Sequence, residues 1–166
     1  MARRVRAEGS GVALAVHVVI AKSDFRTLRD LFVEYEADLP SRLRHGSVPG
    51  LGELVKVYSG RNRAFLALAS GAVIGCVAMR KLDPETALLL RLYVKLERRG
   101  LGAARSLVEA TIEYARTSGY RRVVLDTNKA ALEPAFRLYR SLGFVECEPF
   151  AEVSYECPTF MELLLM

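Results

Sequence analysis

Four arginines and two glycines crowd one short stretch, Arg91-Leu-Tyr-Val-Lys-Leu-Glu-Arg-Arg-Gly-Leu-Gly-Ala-Ala-Arg-Ser-Leu107. An apolar, strand-like run ends there, a basic turn follows, and a helical pattern begins. Gly100 and Gly102 lack a Cβ, so the backbone can curl and a ligand can approach it closely. The first amides of the following helix have no internal acceptor and lie at the positive end of its dipole. Such a turn suits a phosphate or diphosphate. Arg98, Arg99 and Arg105 add charge, and arginine can hold phosphate oxygens in bidentate fashion. Ala103 and Ala104 keep the approach uncluttered. The same letters also fit an ordinary loop-to-helix turn with solvated arginines. Two familiar phosphate motifs are excluded. There is no Gly-Lys-Ser/Thr, so the turn is not a P-loop. The third glycine of a dinucleotide fingerprint is missing, with Ser106 and Leu107 in that region, and the turn falls mid-chain, not after a first strand.

Other chemistries find little support. His17 and His45 are the only histidines, and Cys76, Cys147 and Cys157 lack C-x-x-C spacing. Neither a zinc site nor a disulfide framework is indicated, and no metal is expected. Each histidine fits a core or surface role better than a metal ligand.

The elements that must position the turn follow from periodicity. Residues 13–20 are apolar and β-branched and read as a strand. Asp24 is placed to cap a helix to about Leu39, because Leu28, Leu31, Phe32 and Tyr35 recur at helical spacing. Pro40 ends it. A short helix carries Leu51, Leu54, Val55 and Tyr58 and stops at Gly60. Ala64–Ala69 and Ala72–Arg80 form a hairpin about Ser70-Gly71. After a turn at Lys81 to Glu85, Thr86–Lys95 is a third strand of this meander. Ala104, Leu107, Val108, Thr111, Ile112 and Ala115 form one apolar helical stripe, closed by Gly119. Arg121–Asp126 is a strand, a helix spans roughly Ala131 to Leu142, and Phe144–Glu148 and Thr159–Leu165 are final strands. The order is β-α-α-β-β-β-α-β-α-β-β. It implies an α/β fold with a mixed sheet and helices on both faces.

With these elements in place the chain resembles the GNAT N-acetyltransferase superfamily. Arg99-Gly100-Leu101-Gly102-Ala103-Ala104 is similar to its Gln/Arg-x-x-Gly-x-Gly/Ala signature. Leu138-Tyr139-Arg140-Ser141-Leu142-Gly143-Phe144 resembles its helix-to-strand element, and Phe160-Met161-Glu162-Leu163 the final strand of many bacterial members. The likeness covers Thr86 to Leu165 in detail and the earlier part in element order. It implies a mostly antiparallel sheet of six to seven strands. It also implies acetyl-CoA as co-substrate, lying where the strand ending at Val94 splays from Arg121–Asp126. The pantetheine arm would pair with the backbone of Leu92 and Val94, and a backbone amide near Leu92 or Tyr93 would face the thioester oxygen. The diphosphate would rest on the turn formed by Gly100, Leu101, Gly102, Ala103 and Ala104, with Arg99 beside it. Tyr139 is the implied general acid toward the leaving thiolate.

The general base is not evident. Related members often carry a glutamate on the strand before the signature, where this chain has Leu88, Leu89 and Leu90. Leu132 replaces the usual asparagine before the Tyr139 helix. Glu34 and Glu36 could attract a cationic amine, or form a solvated helix face. The implied partner is a primary amine of a small molecule or protein, with a homodimer one option for assembly. Two rivals stand beside this enzyme reading. One is a non-catalytic acyl-CoA sensor. The other is a basic nucleic-acid binder, motivated by Arg3, Arg4, Arg6 and the stretch from Arg42 to His45.

Composition sets the outer bounds. The chain has 166 residues, 51% hydrophobic and 26% charged, with a net charge of +5. This suits one domain with its own core, expected over residues 13–166. The excess charge suits an anionic ligand and is too small and scattered to indicate nucleic acid. The longest uncharged run, Ala64 to Met79, is short of the ~20 residues of a membrane span. Arg3, Arg4 and Arg6 before Gly11 to Ala21 resemble a signal peptide, but His17 interrupts the run and no cleavage site follows. Residues 1–12 are therefore expected to be a flexible basic tail, and the location cytoplasmic.

Overall fold

The computed structural model describes residues 2–6 and 13–166. Its strands are β1 (Ala2–Arg6), β2 (Ala13–Ile20), β3 (Arg63–Ala69), β4 (Ala72–Asp83), β5 (Thr86–Val94), β6 (Arg122–Thr127), β7 (Val145–Glu146) and β8 (Thr159–Leu164). The helices are α1 (Phe25–Asp38), α2 (Leu51–Tyr58), α3 (Ala103–Thr117) and α4 (Glu133–Ser141). One eight-stranded sheet runs β1-β2-β3-β4-β5-β6-β8-β7. Only β5 and β6 pair in parallel; all other neighbours are antiparallel.

Strand alternation covers the sheet on both faces. Phe65, Ala67, Val77, Met79 and Leu89 join Leu107, Val108 and Ile112 of α3 in one core. Their neighbours Ala64, Leu66, Cys76 and Ala78 point the other way, to Leu28, Phe32 and Leu54 of α1 and α2. The helices thus occupy opposite faces, and the β5–α3–β6 crossover carries the glycine turn between two central strands. Among the described residues, no helix is long and apolar enough to cross a membrane.

Three expectations change. Within the supposed tail, Ala2–Arg6 forms an antiparallel edge strand on β2, with Ala2 opposite His17. The backbone ladder is indifferent to the arginines that make this segment read as a loose tail; residues 1 and 7–12 lie outside the described residues. The sheet accordingly has one strand more than the six or seven expected. Asp24 is the N-cap residue of α1 but makes no side-chain cap bond. Its Oδ1 accepts the Lys22 amide at 3.1 Å instead. The strand expected over Phe144–Glu148 shrinks to Val145–Glu146.

Candidate active site

Two central strands part company in the middle of the sheet. β5 and β6 pair only at Thr86↔Arg122, Ala87↔Val123 and Leu88↔Val124. Both continue beyond, to Val94 and Thr127, without pairing to each other. The backbone edge of β5 past Leu88 is therefore left open toward β6. A bulge lies just beyond the last pair, where β5 runs beside β4. Cys76 faces Tyr93 while Ala78 faces Leu90, so β5 carries one residue more than β4 over that step. Arg91 sits in the bulge with φ 55°, a left-handed conformation that non-glycine residues seldom adopt. Its guanidinium lies 4.9 Å from the centre of the Phe32 ring and 3.8 Å from Glu36, contacts that offset the backbone strain.

The residues named from sequence at this edge divide between the faces. Leu92 packs into the α3-side core and Tyr93 into the α1-side core, while Val94 is buried. Gly75 of β4 lies against them. A Cβ there would come within 2.6 Å of the Tyr93 carbonyl oxygen, so only glycine lets the strands close at the bulge.

The glycine turn follows directly. Lys95 ends β5 by donating its amide to the Ile74 carbonyl at 2.8 Å. Leu96–Arg98 forms a 3-10 turn, and Gly100 and Gly102 take φ values of 85° and 80°. Gly102 is the N-cap of α3 and supplies no side-chain cap, so the amides of Ala103, Ala104 and Arg105 lack internal acceptors. Ala103 is buried beneath the turn, Leu101 packs against the α3-side core, and Ala104 is partly buried.

The arginines of the turn differ in their engagements. Arg99 donates from Nε to the Val94 carbonyl at 2.9 Å and pairs with Asp38 at 2.9 Å, tying the end of α1 to the end of β5. Arg105 donates to Ser141 Oγ at 2.6 Å, tying α3 to α4. Arg98 makes no ion pair among the described residues, so it contributes the uncommitted charge.

Tyr139 lies on α4, buried, with its ring 5.7 Å from that of Phe144. Burial, and secondarily Tyr35 and Asp126, hold its hydroxyl well above the usual tyrosine range. It therefore keeps its proton. A hydroxyl so held is suited to donate a hydrogen bond rather than to give up its proton.

At the end of α1, the structure assembles a polar cluster that sequence spacing did not reveal. Glu36 of α1 is buried. Its Oε1 accepts His45 Nδ1 at 2.9 Å, and its Oε2 accepts the His45 amide at 2.9 Å. Tyr35 stacks on the His45 ring at 6.1 Å, and Tyr155 meets its edge at 6.2 Å. Tyr155 in turn donates to Asp126 Oδ2 at 2.6 Å and to the Thr127 carbonyl at 3.2 Å, on the unpaired end of β6. Burial first, then the Asp126 carboxylate, raises the Tyr155 hydroxyl. A signal for Glu36 does exist: Leu28, Phe32 and Glu36 recur every four residues, which sets the carboxylate on the buried stripe of α1. Glu34 does not join the cluster and pairs with Lys95 at 3.5 Å. Asn128, also missed, shapes the loop before α4 by accepting the Ala130 and Ala131 amides at 3.2 and 2.9 Å.

A mixed sheet splayed at its centre, with a bare helix N-terminus below the opening, agrees with the family comparison. Residues 26–144 match the acetyltransferase (GNAT) family, and the chain belongs to it. An uncharacterized N-acetyltransferase of Schizosaccharomyces pombe is 43% identical over 81 residues, covering 48% of this chain and 49% of that protein. The uncharacterized N-acetyltransferase YsnE of Bacillus subtilis is 37% identical over 79 residues, 47% of this chain and 52% of its own length. The chain thus spans about half the length of these curated relatives. The structure of yncA, a putative acetyltransferase from Salmonella typhimurium solved with its cofactor acetyl-CoA, superposes with a TM-score of 0.75. Its identity is 21%, covering 91% of this chain and 94% of that one, a likeness of fold.

Proposed function

We propose that this protein is an N-acetyltransferase that moves an acetyl group from acetyl-CoA to a primary amine of a small molecule or protein. Attack is direct, with both substrates held in one cleft. The observation that carries this reading is the loss of β5–β6 pairing after Leu88 and Val124, on a strand whose free end leads into an uncapped α3 N-terminus. The open edge of β5 suits the pantetheine arm as an added strand, with Leu92, Tyr93 and Val94 presenting backbone groups. The turn from Gly100 to Ala104 suits the diphosphate, with Arg98 and Arg99 beside it. Bringing both reactants into one geometry can supply about 7–11 kcal/mol of the barrier reduction. A backbone amide near Leu92 or Tyr93 stabilises the charge that develops on the thioester oxygen. Tyr139 donates to the departing sulfur. Three free thiols, Cys76, Cys147 and Cys157, suit a reducing cytoplasmic setting.

Thermal-shift titration with acetyl-CoA, CoA and NAD tests the cofactor side. At about 100-fold excess over Kd a ligand adds about 2.7 kcal/mol. For a chain of this size that corresponds to a rise in Tm of roughly 5–10 °C. The two CoA species are expected to give it and NAD none. The double variant R98E/G102D is expected to lose it, through charge reversal and a side chain set into the turn. Stabilisation by NAD alone, or an undiminished CoA response in the double variant, would overturn the assignment.

A further inference from the structure

We propose that His45, oriented by Glu36, is the general base that deprotonates the acceptor ammonium; this rests on the acetyl-transfer reading above. A carboxylate can only accept, so the Glu36 bond places a proton on Nδ1, and in the neutral imidazole this leaves the Nε2 lone pair as the acceptor. Nε2 makes no hydrogen bond among the described residues, and the His45 side chain is 39% exposed, open to an incoming amine. Both tyrosine rings and the second Glu36 contact, to the His45 amide, fix the imidazole plane.

Placement connects this dyad to the opening between the strands. Through Glu36 it touches Arg91 on the β5 bulge, and through Tyr155 it reaches Asp126 on the free end of β6. The imidazole is thereby linked, through Glu36 and through Tyr155, to both strands that part. The missing glutamate on β5 then leaves no gap in the chemistry, because the base comes from the α1–α2 connection.

The proton balance is complete. The ammonium R–NH3+ gives one proton to Nε2, and the freed lone pair forms the C–N bond to the thioester carbonyl carbon. The C–S bond breaks, the second nitrogen proton passes to the thiolate, and His45 later releases its proton to solvent. The products are the amide, CoA thiol and one proton.

The test uses the full chain with acetyl-CoA and, as probes, n-butylamine, phenethylamine and lysine. H45Q is expected to lower turnover by about 10²–10⁴-fold, the usual worth of a positioned base. Its acetyl-CoA thermal shift should equal that of wild type. Imidazole in the assay should restore part of the activity of H45A, and H17Q, at an exposed position on β2, should behave as wild type. E36Q provides the positioning readout: nitrogen-15 NMR should show the proton on Nδ1 of His45 in wild type and a mixed tautomer in E36Q. Three results overturn the base: H45Q turnover within twofold of wild type, a wild-type proton resting on Nε2, or a wild type that binds acetyl-CoA yet acetylates none of the probes. A wild type with no acetyl-CoA shift ends the enclosing reading and this inference with it.

Discussion

At the scale of single residues, the proposed mechanism divides the proton chemistry between Tyr139 and His45 by their surroundings. Tyr139 is buried, and its hydroxyl is pushed above the usual range, which suits a donor; His45 is partly exposed with Nδ1 bonded to Glu36, which leaves Nε2 to accept in the neutral ring. Replacing Tyr139 by Phe removes the donor and keeps the ring packed on Phe144. A hydrogen bond to a charged group is worth about 1.5–3 kcal/mol, so Y139F should lower kcat by roughly 10–150-fold. Acetyl-CoA affinity should stay within about twofold, since the sulfur is uncharged in the ground state. Steady-state kinetics with a binding titration checks both, and unchanged kcat removes Tyr139 from the chemistry. The place of Tyr139 on a helix leading into Phe144 was legible because a local run of letters surrounds it. The Glu36–His45 contact was not, because a contact between a helix and the loop nine residues on depends on how that loop folds back.

At the scale of elements, the decisive feature is the β5 bulge and the glycine that faces it. Gly75→Ala places a Cβ 2.6 Å from the Tyr93 carbonyl oxygen and 3.3 Å from the Val94 Cα, both on backbone that cannot swing aside. The strands must separate, at a cost of about 1–3 kcal/mol. Urea unfolding should show a lower midpoint with an unchanged m-value; a midpoint equal to wild type would mean that the close approach does not constrain β5. The hairpin at Ser70-Gly71 and the turn at Gly100 and Gly102 were readable because left-handed conformations call for such residues, and Ser70 and Gly71 do take φ of 51° and 77°. The bulge was not, because Arg91 carries no backbone signature. What holds it is tertiary: the Phe32 ring and the Glu36 carboxylate, both from α1. Strand β1 was hidden for the opposite reason. Three arginines in five residues suggest a solvated tail, yet edge pairing requires only a backbone.

At the scale of the whole molecule, two cores clamp a sheet that is closed along most of its width and open at one place. The alternation of 64/66 against 65/67, and of 76/78 against 77/79, commits these strands to both cores at once. The order of elements was therefore legible throughout, with one strand added at the edge. The opening was not, since a parallel pair that stops after three residues leaves no mark in either strand's pattern. The proposed site is a consequence of that architecture: the parting of β5 and β6 leaves a strand edge unpaired, and the free end of β5 leads through the glycine turn into α3.

Hydrogen exchange with and without acetyl-CoA tests this most directly, because it reports on the bare amides themselves. Binding is predicted to slow exchange at residues 92–94 and 100–105, and to leave the β1–β2 edge unchanged. Acetyl-CoA bound at saturation with no protection in either segment would contradict the account.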